Sequence, residues 1–456
     1  MDIRVDFPKE MIKLINLIMD NGFELYLVGG CVRDMIMGRE PHDFDMCTNA
    51  DPMELVTLFK NHRITVNPKG LVFGTVTAII KGKEYEITSY REDLDYADGR
   101  HPEGVVFVKD IKTDLSRRDF TINAMAFNPI TKEIVDPFGG QKDIEKGIIR
   151  TVRNPKDRLT EDALRILRGL RFAITFGFDI DKDTFQAMLD CRSLLNYVSK
   201  ERVTDEFRKM FITGKPIKKW FLQGAPIIFT LIPELGPCFQ FEQNNPYHKH
   251  DVYEHLLEVT DACETQKFEI KMAALLHDIG KPASYVTDEL GSGHFYGHPK
   301  ISFQISRQVF DLDFRLTNDE ANRIGSLVLN HDVTIALTEK SVKRALNKFG
   351  TDFMEDYFIL HKADVLDHII PEGTNKDWTK VDELRELYDK VLNEKPCFRI
   401  RDLAINGNDV KNILHIKGGP LIGEILRYLL DGVIDQKFEN TKLDLEKAVL
   451  QYMQVS

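Results

Sequence analysis

Two aspartates one residue apart follow a glycine turn near the start of the chain. In LVGGCVRDMIMGREPHDFDMCTN, Gly29 and Gly30 end an apolar run, and Arg33, Asp43 and Asp45 follow. If the aspartates lie in a strand, their carboxylates share one face and repel, which calls for a cation such as Mg²⁺ with its preference for oxygen ligands. The glycine turn would bring backbone N–H groups and Arg33 to a phosphate. A surface turn is the alternative, but the combined pattern favours a site for a triphosphate and a metal ion.

A second pattern lies in EDALRILRGLRFAITFG, whose apolar periodicity predicts one helix. Glu161 and Asp162 precede Arg165 by four and three residues, and Arg168 and Arg171 continue the same side. One interpretation is an ion-pair ladder on a surface. In the other, Asp162 accepts from the exocyclic amino group of cytosine or adenine, and Arg165 donates to the ring nitrogen beside it. Uracil and guanine present the reverse pattern, so this pair would select C and A.

Two further segments carry polar residues whose types and spacing allow a structural or a functional role. SRRDFTINAMAFN places Arg118 and Asp119 before an apolar helix start, where a capping cluster is the simplest interpretation. In YEITSYR, Glu86 is either a third carboxylate for the metal or a surface residue at a strand edge.

A separate constellation of histidines and aspartates lies in the second half of the chain. Nine of the thirteen histidines fall between His248 and His368, in segments that include YEHLLEV, LLHDIGKP, GHP, NHD and HKADVLDH. Adjacent His and Asp side chains can place a nitrogen and an oxygen on one divalent ion. The candidate metal ligands are His255, His277, Asp278 and Asp364, with His298 and His331 for a second ion.

The elements that must position these residues change character along the chain. Short β-branched and aromatic runs before residue 150 predict a small sheet, and helical periodicity dominates afterwards. Breaks rich in Pro, Gly and Asn occur at 231–251 and 371–378. Together these patterns predict four segments, namely 1–150 with the sheet and the helical segments 151–235, 236–370 and 371–456.

Composition narrows the class of protein. The 456 residues carry a formal net charge of −11, yet seven basic and three acidic residues lie between Arg150 and Arg171, which suits a polyanionic partner. No segment is apolar over the length of a membrane span, and the N-terminus is too charged for a signal peptide. Six scattered cysteines without a CxxC pattern predict reduced thiols in a cytoplasmic protein. The lack of a membrane-spanning segment predicts that the protein has no membrane partner.

GGCVRD, DFD, RRDFTINA, DPFGG and EDALRILRGLRFA follow one another in this order. Over residues 20–215 this series resembles the class II tRNA nucleotidyltransferase and poly(A) polymerase family. The resemblance implies an α+β fold, with a small mixed α/β, polymerase-beta-like head (1–150). All-helical segments follow it: a neck with an RNA-binding segment (151–235), a body or HD domain (236–370) and a tRNA-binding tail (371–456). It also implies addition of nucleotides from CTP and ATP to the 3′ end of tRNA without a nucleic-acid template.

The resemblance further implies a role for each matching residue. Asp43 and Asp45 would bind two catalytic Mg²⁺ ions, which would activate the tRNA 3′-hydroxyl and stabilise the leaving pyrophosphate. Asp162 and Arg165 would read the base, with Glu161 orienting Arg165. The implied nucleotide-binding residues are Gly29, Gly30, Arg33, Arg118, Asp119, Asp162, Arg165, Arg168 and Arg171.

Several activities share these motifs, namely addition of CCA, of CC alone or of A alone, and synthesis of poly(A). The segment REDLDYADGRHPEGV, with Arg91 and Glu92, resembles the family loop that accompanies the switch from C to A, which argues against a CC-only enzyme. Ala163 stands where bacterial poly(A) polymerases tend to carry proline. We therefore expect CCA addition, with an A-adding enzyme or a poly(A) polymerase as the alternatives; the oligomeric state stays open.

Residues 245–368 resemble the HD-domain metal phosphohydrolases. The resemblance implies a divalent transition metal and hydrolysis of phosphoesters at RNA 3′ ends, such as 2′,3′-cyclic phosphates. Two alternatives stand beside it: a degenerate HD fold that only supports a tRNA-binding body, and a hydrolase whose head serves as a nucleotide sensor. The Asp43 and Asp45 pair argues against a pure sensor, which has no need of it.

Overall fold

The fold divides into two units. The computed structural model describes residues 6–67, 69–93, 104–244, 248–367, 377–394 and 397–455. The first unit comprises Met1–Pro233 with Asp313–Arg315, and the second comprises Glu234–Leu312 with Leu316–Ser456. Across the described ranges, no helix has both the length and the apolar composition that crossing a bilayer requires.

A mixed sheet forms the centre of the first unit. The strands of this unit are β1 (Leu25–Val28), β2 (Met46–Thr48), β3 (Thr65–Asn67), β4 (Thr75–Ile80), β5 (Lys83–Ser89), β6 (Arg91–Asp93), β7 (Val105–Phe107), β8 (Ala126–Phe127), β9 (Ile134–Val135), β10 (Ile148–Ile149) and β11 (Asp179–Ile180). Seven of them pair in the order β3-β4-β5-β2-β1-β8-β9. The pair β2 and β5 is parallel, and the other neighbours are antiparallel.

The first unit also contains α-helices, which lie before, between and after these strands along the chain. They are α1 (Lys9–Asp20), α2 (Gly30–Ile36), α3 (Pro52–Asn61), α4 (Ile111–Ser116), α5 (Gly140–Lys146), α6 (Pro155–Glu161), α7 (Leu164–Phe176), α8 (Lys182–Asp190), α9 (Lys200–Phe211), α10 (Lys218–Gln223) and α11 (Ala225–Leu231). Helix α1 shows why they form: Met11, Leu14, Ile15 and Ile18 recur at helical spacing and are all buried in the core of the head.

The second unit is built mainly from helices. These are α12 (Val252–Ala262), α13 (Phe268–Leu276), α14 (Lys281–Ser284), α15 (His298–Leu312), α16 (Asn318–Asn330), α17 (Glu339–Leu366), α18 (Asp377–Asn393), α19 (Gly407–Leu414), α20 (Pro420–Ile434) and α21 (Lys442–Val455). A hairpin of β12 (Tyr285–Thr287) and β13 (Gly293–Phe295) lies between α14 and α15. Across the two units, short 3₁₀ helices occur at Leu71–Phe73, Thr121–Asn123, Arg192–Tyr197, Pro233–Cys238 and Ile400–Asp402.

The predicted change from a small sheet to helices is confirmed, and three local predictions are wrong. Asp43 and Asp45 precede β2 instead of lying in a strand. The helix predicted from residue 161 to Gly177 is interrupted at Asp162, although Gly177 does end it in the left-handed conformation. The β12–β13 hairpin interrupts a region that was expected to be wholly helical.

Two predictions fall wholly or partly outside the described residues. In the predicted C-to-A loop, β6 pairs with β7, so that Arg91 lies opposite Phe107 and Glu92 opposite Val106. The guanidinium of Arg91 donates to the carbonyl of Phe73. Residues 94–103 of that loop, and residues 371–376 of the linker predicted at 371–378, lie outside the described ranges.

Candidate active site

The turn at Gly29 brings three sequence motifs together. Gly29 has φ 75° and connects β1 to α2, whose first residue is Gly30. A Cβ atom at Gly29 would lie 2.9 Å from Nη1 of Arg118 and 3.8 Å from Oδ2 of Asp45, so the position requires glycine. Nε of Arg118 is buried and has no hydrogen-bond partner among the described residues. The glycine turn, a carboxylate and an arginine with an unpaired donor therefore share one small space.

Carboxylates line a pocket beside this turn. Asp43 and Asp45 border a cavity of about 480 Å³ together with Glu84 and Glu86 of β5, and Lys83 also lines it. Partial desolvation raises the pKa of Asp45; the guanidinium of Arg118 opposes this rise, and the Asp43 carboxylate adds to it. A divalent cation such as Mg²⁺ would offset the desolvation and the like charge that disfavour the ionised form of Asp45, and carboxylate oxygens are the ligands it prefers. Both interpretations of Glu86 remain open.

Arginines from different motifs gather around two rings of α7. Phe172 and Phe176 stack with ring centres 5.8 Å apart. The guanidinium carbon of Arg33 lies 4.7 Å from the Phe176 ring centre. Those of Arg168 and Arg171 lie 5.3 and 4.2 Å from the Phe172 ring centre. Cation–π contacts hold these like charges together, and the cluster of positive charge suits the phosphates of an anionic ligand.

Asp119 holds part of this arginine cluster. Its Oδ2 accepts from Nε and Nη2 of Arg168 at 2.8 and 2.6 Å, and its Oδ1 accepts from the Asn123 amide at 3.1 Å. Asn123 in turn accepts from Nη1 of Arg33 at 2.7 Å. Burial raises the pKa of Asp119, but Arg168 and Asn123 outweigh burial and hold this pKa well below its usual range. Asp119 is thus an ionised, buried group that positions two arginines.

We expect Asp119→Asn to destabilise the first unit in a pH-dependent way. A carboxyl with a depressed folded pKa stabilises the fold above its unfolded pKa of about 3.9, and this contribution is lost as the pH falls below that value. At pH 7 the variant should lower the free energy of unfolding by about 2 kcal/mol, because a buried pair is broken while Arg168 keeps partial access to water. Calorimetric melts at pH 7 and pH 3 measure this, and the difference in Tm should shrink at pH 3. Asp157→Asn, at an exposed position on α6, is the control; equal melting of the two variants at pH 7 contradicts the prediction.

The break at Asp162 separates α6 from α7. Asp162 is extended, with φ −145° and ψ 102°, and its Oδ1 accepts the backbone N–H of Leu164. Its Oδ2 accepts from Nη2 of Arg202 on α9 at 2.7 Å, which replaces the i,i+3 contact with Arg165 that the sequence predicts. The break therefore turns the Asp162 carboxylate towards α9.

Arg165 is buried and held in one orientation. Its Nη1 donates to Oε2 of Glu161 at 2.6 Å and to the carbonyl of Arg158 at 2.7 Å, and its Nη2 donates to the carbonyl of Arg117 at 3.2 Å. The predicted contact between Glu161 and Arg165 is therefore made across the break. Arg171, which the resemblance assigns to the nucleotide, pairs with the buried Glu206 at 2.6 Å in this structure.

In the second unit, all six predicted metal ligands lie together and form what we call the HD centre. Two sets of donor atoms each lie within 4.8 Å of one another: His255, His277 and Asp278, and Asp278, His298 and His331. Oδ1 of Asp364 lies 3.2 Å from Nε2 of His255 and 3.6 Å from Nε2 of His277. Asp278 belongs to both sets, with Oδ2 towards the first and Oδ1 towards the second.

The four histidines of the HD centre are oriented alike. The Nδ1 atoms of His277, His298 and His331 each lie 2.8 Å from a backbone carbonyl, of Ala274, Phe295 and Val328 respectively. Nδ1 of His255 lies 2.8 Å from Oδ2 of Asp367. An acceptor at Nδ1 places the ring proton there and leaves the lone pair of Nε2 for a metal. This donor chemistry fits a divalent ion.

Charge within the HD centre is balanced among its own side chains. Burial lowers the pKa of His255, but hydrogen bonds to Asp278, Asp364 and Asp367 outweigh burial and raise it to about 10. Asp278 also accepts from Nζ of the buried Lys281 at 2.6 Å. Because a metal needs neutral imidazole, an ion that enters the centre displaces these protons.

Three residues of these sites were missed by sequence reasoning. Asp114, on α4, pairs with Arg117 and Arg118, which follow the end of that helix. The spacing of three and four residues between the carboxylate and the two arginines is a signal that the sequence does contain. Asp367, which accepts from Nδ1 of His255, follows the candidate ligand Asp364 by three residues, and this helical spacing is also visible in the sequence. Arg202 contacts Asp162 across forty positions of the chain, and no local pattern indicates it.

Family models match this arrangement. Residues 25–150 match the model of the Poly A polymerase head domain, and residues 252–367 match that of the HD domain. Residues 177–221 match the model of the probable RNA and SrmB-binding site of polymerase A. Residues 342–449 match the model described as tRNA nucleotidyltransferase domain 2. With the head sheet, its carboxylates and the HD centre, these matches define a nucleotidyltransferase that carries an HD domain.

Relatives along the whole chain narrow the class further. The CCA-adding enzyme of Staphylococcus saprophyticus subsp. saprophyticus is 32% identical over 96% of both chains. The Bacillus stearothermophilus CCA-adding enzyme, solved with CTP, is 26% identical with a TM-score of 0.67 over 98% of both chains. The Thermotoga maritima CCA-adding enzyme, solved with tRNA, is 19% identical with a TM-score of 0.61 over 98% and 97%, and shares the fold. The chain belongs to the family of CCA-adding enzymes.

This membership confirms several predictions. The resemblance to class II nucleotidyltransferases with an HD domain is confirmed, as are the α+β fold class and the assignment as a nucleotidyltransferase. Among the alternatives, the relatives favour CCA addition over A-only addition and poly(A) synthesis. Use of a divalent metal follows from the family.

Proposed function

We propose that this enzyme adds C, C and A in turn to the 3′ end of tRNA, using CTP and ATP and no nucleic-acid template. The observation that carries the proposal is the Gly29 turn, where a Cβ atom would lie 2.9 Å from Nη1 of Arg118 and 3.8 Å from Oδ2 of Asp45. A template-independent transferase needs carboxylates, phosphate-binding arginines and base-selecting groups in one place, and the first unit contains all three. The site groups are Asp43 and Asp45, then Gly29, Gly30, Arg33, Arg118, Asp119, Arg168 and Arg171, and finally Asp162 and Arg165, which Glu161 orients.

Each addition is a nucleotidyl transfer. The tRNA 3′-oxygen bonds to the α-phosphorus, the bond from that phosphorus to the bridging oxygen breaks, and pyrophosphate leaves as the hydroxyl proton passes to solvent. Asp43 and Asp45 would hold two Mg²⁺ ions, which supply charge neutralisation and a more acidic hydroxyl when bound. We assign the triphosphate chain to Arg33 and Arg168, which hydrogen bonds to Asn123 and Asp119 hold in place.

Base selection falls to Asp162 and Arg165. A carboxylate has four lone-pair sites, so Asp162 can keep its contact with Arg202 and still accept from the amino group of C or A. Arg165 is anchored by Glu161 and by two backbone carbonyls, which take three of its five N–H groups, and one of the other two, on Nε or Nη2, would donate to the ring nitrogen. Because uracil offers no amino donor at this edge, the fixed pair disfavours UTP.

The proposal also assigns segments and a location. Residues 1–150 form the catalytic head, 151–235 the neck, 236–370 the HD domain and 371–456 a tail that binds tRNA. All six cysteines are free, and five of them are buried, which suits the reducing cytoplasm.

Three tRNA transcripts test the main function, ending at the discriminator base, in C and in CC. Each is incubated with Mg²⁺ and with CTP, ATP, both, or UTP and GTP, and the products are sized on a gel. We expect CC and then one A on the first transcript, and no product from UTP or GTP. A single A only on the CC-ended transcript, or long A tails, would instead establish one of the two alternatives.

The HD centre supports a second function, hydrolysis of phosphoesters at RNA 3′ ends. The observation that favours it is the common orientation of His255, His277, His298 and His331, each with Nδ1 held and Nε2 facing the carboxylates of Asp278 or Asp364. Mixed imidazole and carboxylate donors suit a divalent transition metal, which when bound supplies an acidic water and a Lewis acid. On a 2′,3′-cyclic phosphate, water adds to phosphorus, one P–O ester bond breaks, and the freed ribose oxygen takes the proton.

Removal of metal is expected to separate the two functions. Protein treated with a chelator and then given Mg²⁺ should add nucleotides to tRNA but hydrolyse 2′,3′-cyclic AMP slowly, because the HD ligands are mainly imidazoles. Mn²⁺, Co²⁺ or Ni²⁺ should restore hydrolysis and raise the Tm of the HD domain. The rate of hydrolysis, the bound metal and the melting curve are measured on one preparation. Full hydrolysis by protein that holds no metal contradicts the second function.

A further inference from the structure

The β12–β13 hairpin stands at the mouth of the HD centre, and one face of it is anchored. Tyr285 and Phe295 lie opposite each other across the two strands with ring centres 5.5 Å apart. Nζ of Lys281 lies 5.3 Å from the centre of the Phe295 ring. The carbonyl of Phe295 accepts from Nδ1 of His298 at 2.8 Å, so the hairpin also orients a metal ligand. The hairpin is therefore a fixed part of the HD domain.

The opposite face of the hairpin presents two aromatic rings to solvent. Side chains alternate along a strand, so His294 on β13 points away from the anchored Phe295, and Tyr296 follows the strand in a turn. Their rings stack with centres 5.5 Å apart and an interplanar angle of 9°, and Tyr296 is 74% exposed. Nε2 of His294 lies 2.9 Å from Oδ2 of Asp288. An exposed stack that its own neighbours hold in place loses little freedom when a third ring joins it.

This aromatic stack and the HD centre share one cavity. A space of about 300 Å³ is lined by His294 and Tyr296 and also by Asp278, His298 and His331. That volume lies at the lower end of the range for small-molecule sites, about 300 to 1,000 Å³. The cavity thus joins a planar apolar surface to the imidazole and carboxylate groups of the second set of donors.

We propose that His294 and Tyr296 form a base-stacking subsite, which binds the terminal nucleobase of an RNA 3′ end while its phosphoester lies at the His298 side of the HD centre. The proposal rests on the hydrolytic function proposed above and names the part of the substrate that this function recognises. Stacking on an aromatic ring accepts every base, because each has a π-face. The subsite therefore suits an enzyme that meets tRNA ends with different terminal bases.

Two substrates with the same ester test the subsite on the full-length, metal-loaded protein. One is adenosine 2′,3′-cyclic phosphate, and the other is 1-O-methylribose 2,3-cyclic phosphate, which has no base. Tyr296→Ala and His294→Ala should each raise KM for the adenosine substrate about tenfold, with little change in kcat and none for the baseless substrate. Tyr296→Phe keeps the ring and should behave as wild type. Leu290→Ala is the matched control, since Leu290 is 93% exposed on the same hairpin and lies outside the stack.

Binding of adenosine 2′-monophosphate, measured by calorimetry with and without metal, gives a readout that does not depend on hydrolysis. Tyr296→Ala should weaken this binding about tenfold, and Leu290→Ala should not. The head is identical in both variants, so any difference belongs to the hairpin. If wild-type protein hydrolyses the ester but Tyr296→Ala changes neither KM nor binding, the subsite is wrong and the hydrolase stands. If no protein hydrolyses the ester but binding depends on Tyr296, the hydrolase is wrong and the subsite stands.

Discussion

Alanine at Asp43 or at Asp45 should reduce nucleotide addition to tRNA by about a thousandfold or more. The two carboxylates line one pocket beside the Gly29 turn, and Oδ2 of Asp45 lies 3.8 Å from the Cβ position of that glycine. A metal held there would stabilise the transition state by several kcal/mol, and every 1.36 kcal/mol corresponds to a factor of ten in rate. Both side chains are exposed, so their removal should leave the fold intact. Single-turnover addition of C to a tRNA transcript measures the loss.

The control for these variants is Asp20→Ala, at an exposed position at the end of α1. It removes one carboxylate from the same unit and should add nucleotides at the wild-type rate. The variants should also leave the hydrolysis of 2′,3′-cyclic AMP unchanged, since that reaction is assigned to the other unit. Nucleotide addition by Asp43→Ala within tenfold of wild type would mean that the metal site lies elsewhere.

Patterns within short segments predicted much of both sites. The Gly29 turn follows from a requirement for positive φ and close approach, which glycine alone meets without strain. Aspartate is rarely buried unless it is paired or bound to metal, and histidine is the commonest metal ligand, so the clustering of these residues in the sequence already indicated a common site. Short apolar runs predicted three strands of the head sheet, β1, β4 and β5, because a buried strand needs a continuous apolar or alternating pattern, but they did not indicate the other four.

What the sequence did not predict depends on contacts between distant segments. The apolar periodicity runs through EDALRILR without a break, yet Asp162 leaves the helix and binds the N–H of Leu164. Aspartate competes with helical hydrogen bonds in this way, and Arg202 from α9 favours the alternative. The stack of His294 on Tyr296 likewise depends on a hairpin that the helical periodicity on either side obscured. Local rules describe each segment, while the partner that decides between two conformations comes from elsewhere in the chain.

Asp278→Ala should abolish hydrolysis at the HD centre while nucleotide addition stays within about twofold of wild type. Asp278 is shared by both sets of candidate ligands, with Oδ1 3.0 Å from Nε2 of His298 and Oδ2 3.3 Å from Nε2 of His277. Its removal would take a ligand from both candidate metal positions, so we expect a loss of about a thousandfold or more in rate. Hydrolysis of 2′,3′-cyclic AMP and metal content are measured together with nucleotide addition.

A change in folding must be separated from a change in chemistry at this position. Asp278 is buried and accepts from Nζ of Lys281 at 2.6 Å, so alanine would leave a buried ammonium without its carboxylate partner. Asp278→Asn keeps the shape and one oxygen of the side chain but removes the charge that would hold the ions. It should lose hydrolysis with a smaller fall in Tm than Asp278→Ala. Asp352→Ala, exposed on the same helix as Asp364, is the control and should change neither activity. Full phosphodiesterase activity in either Asp278 variant would refute the HD centre as a hydrolytic site, and its role would then be to support the helices packed around it.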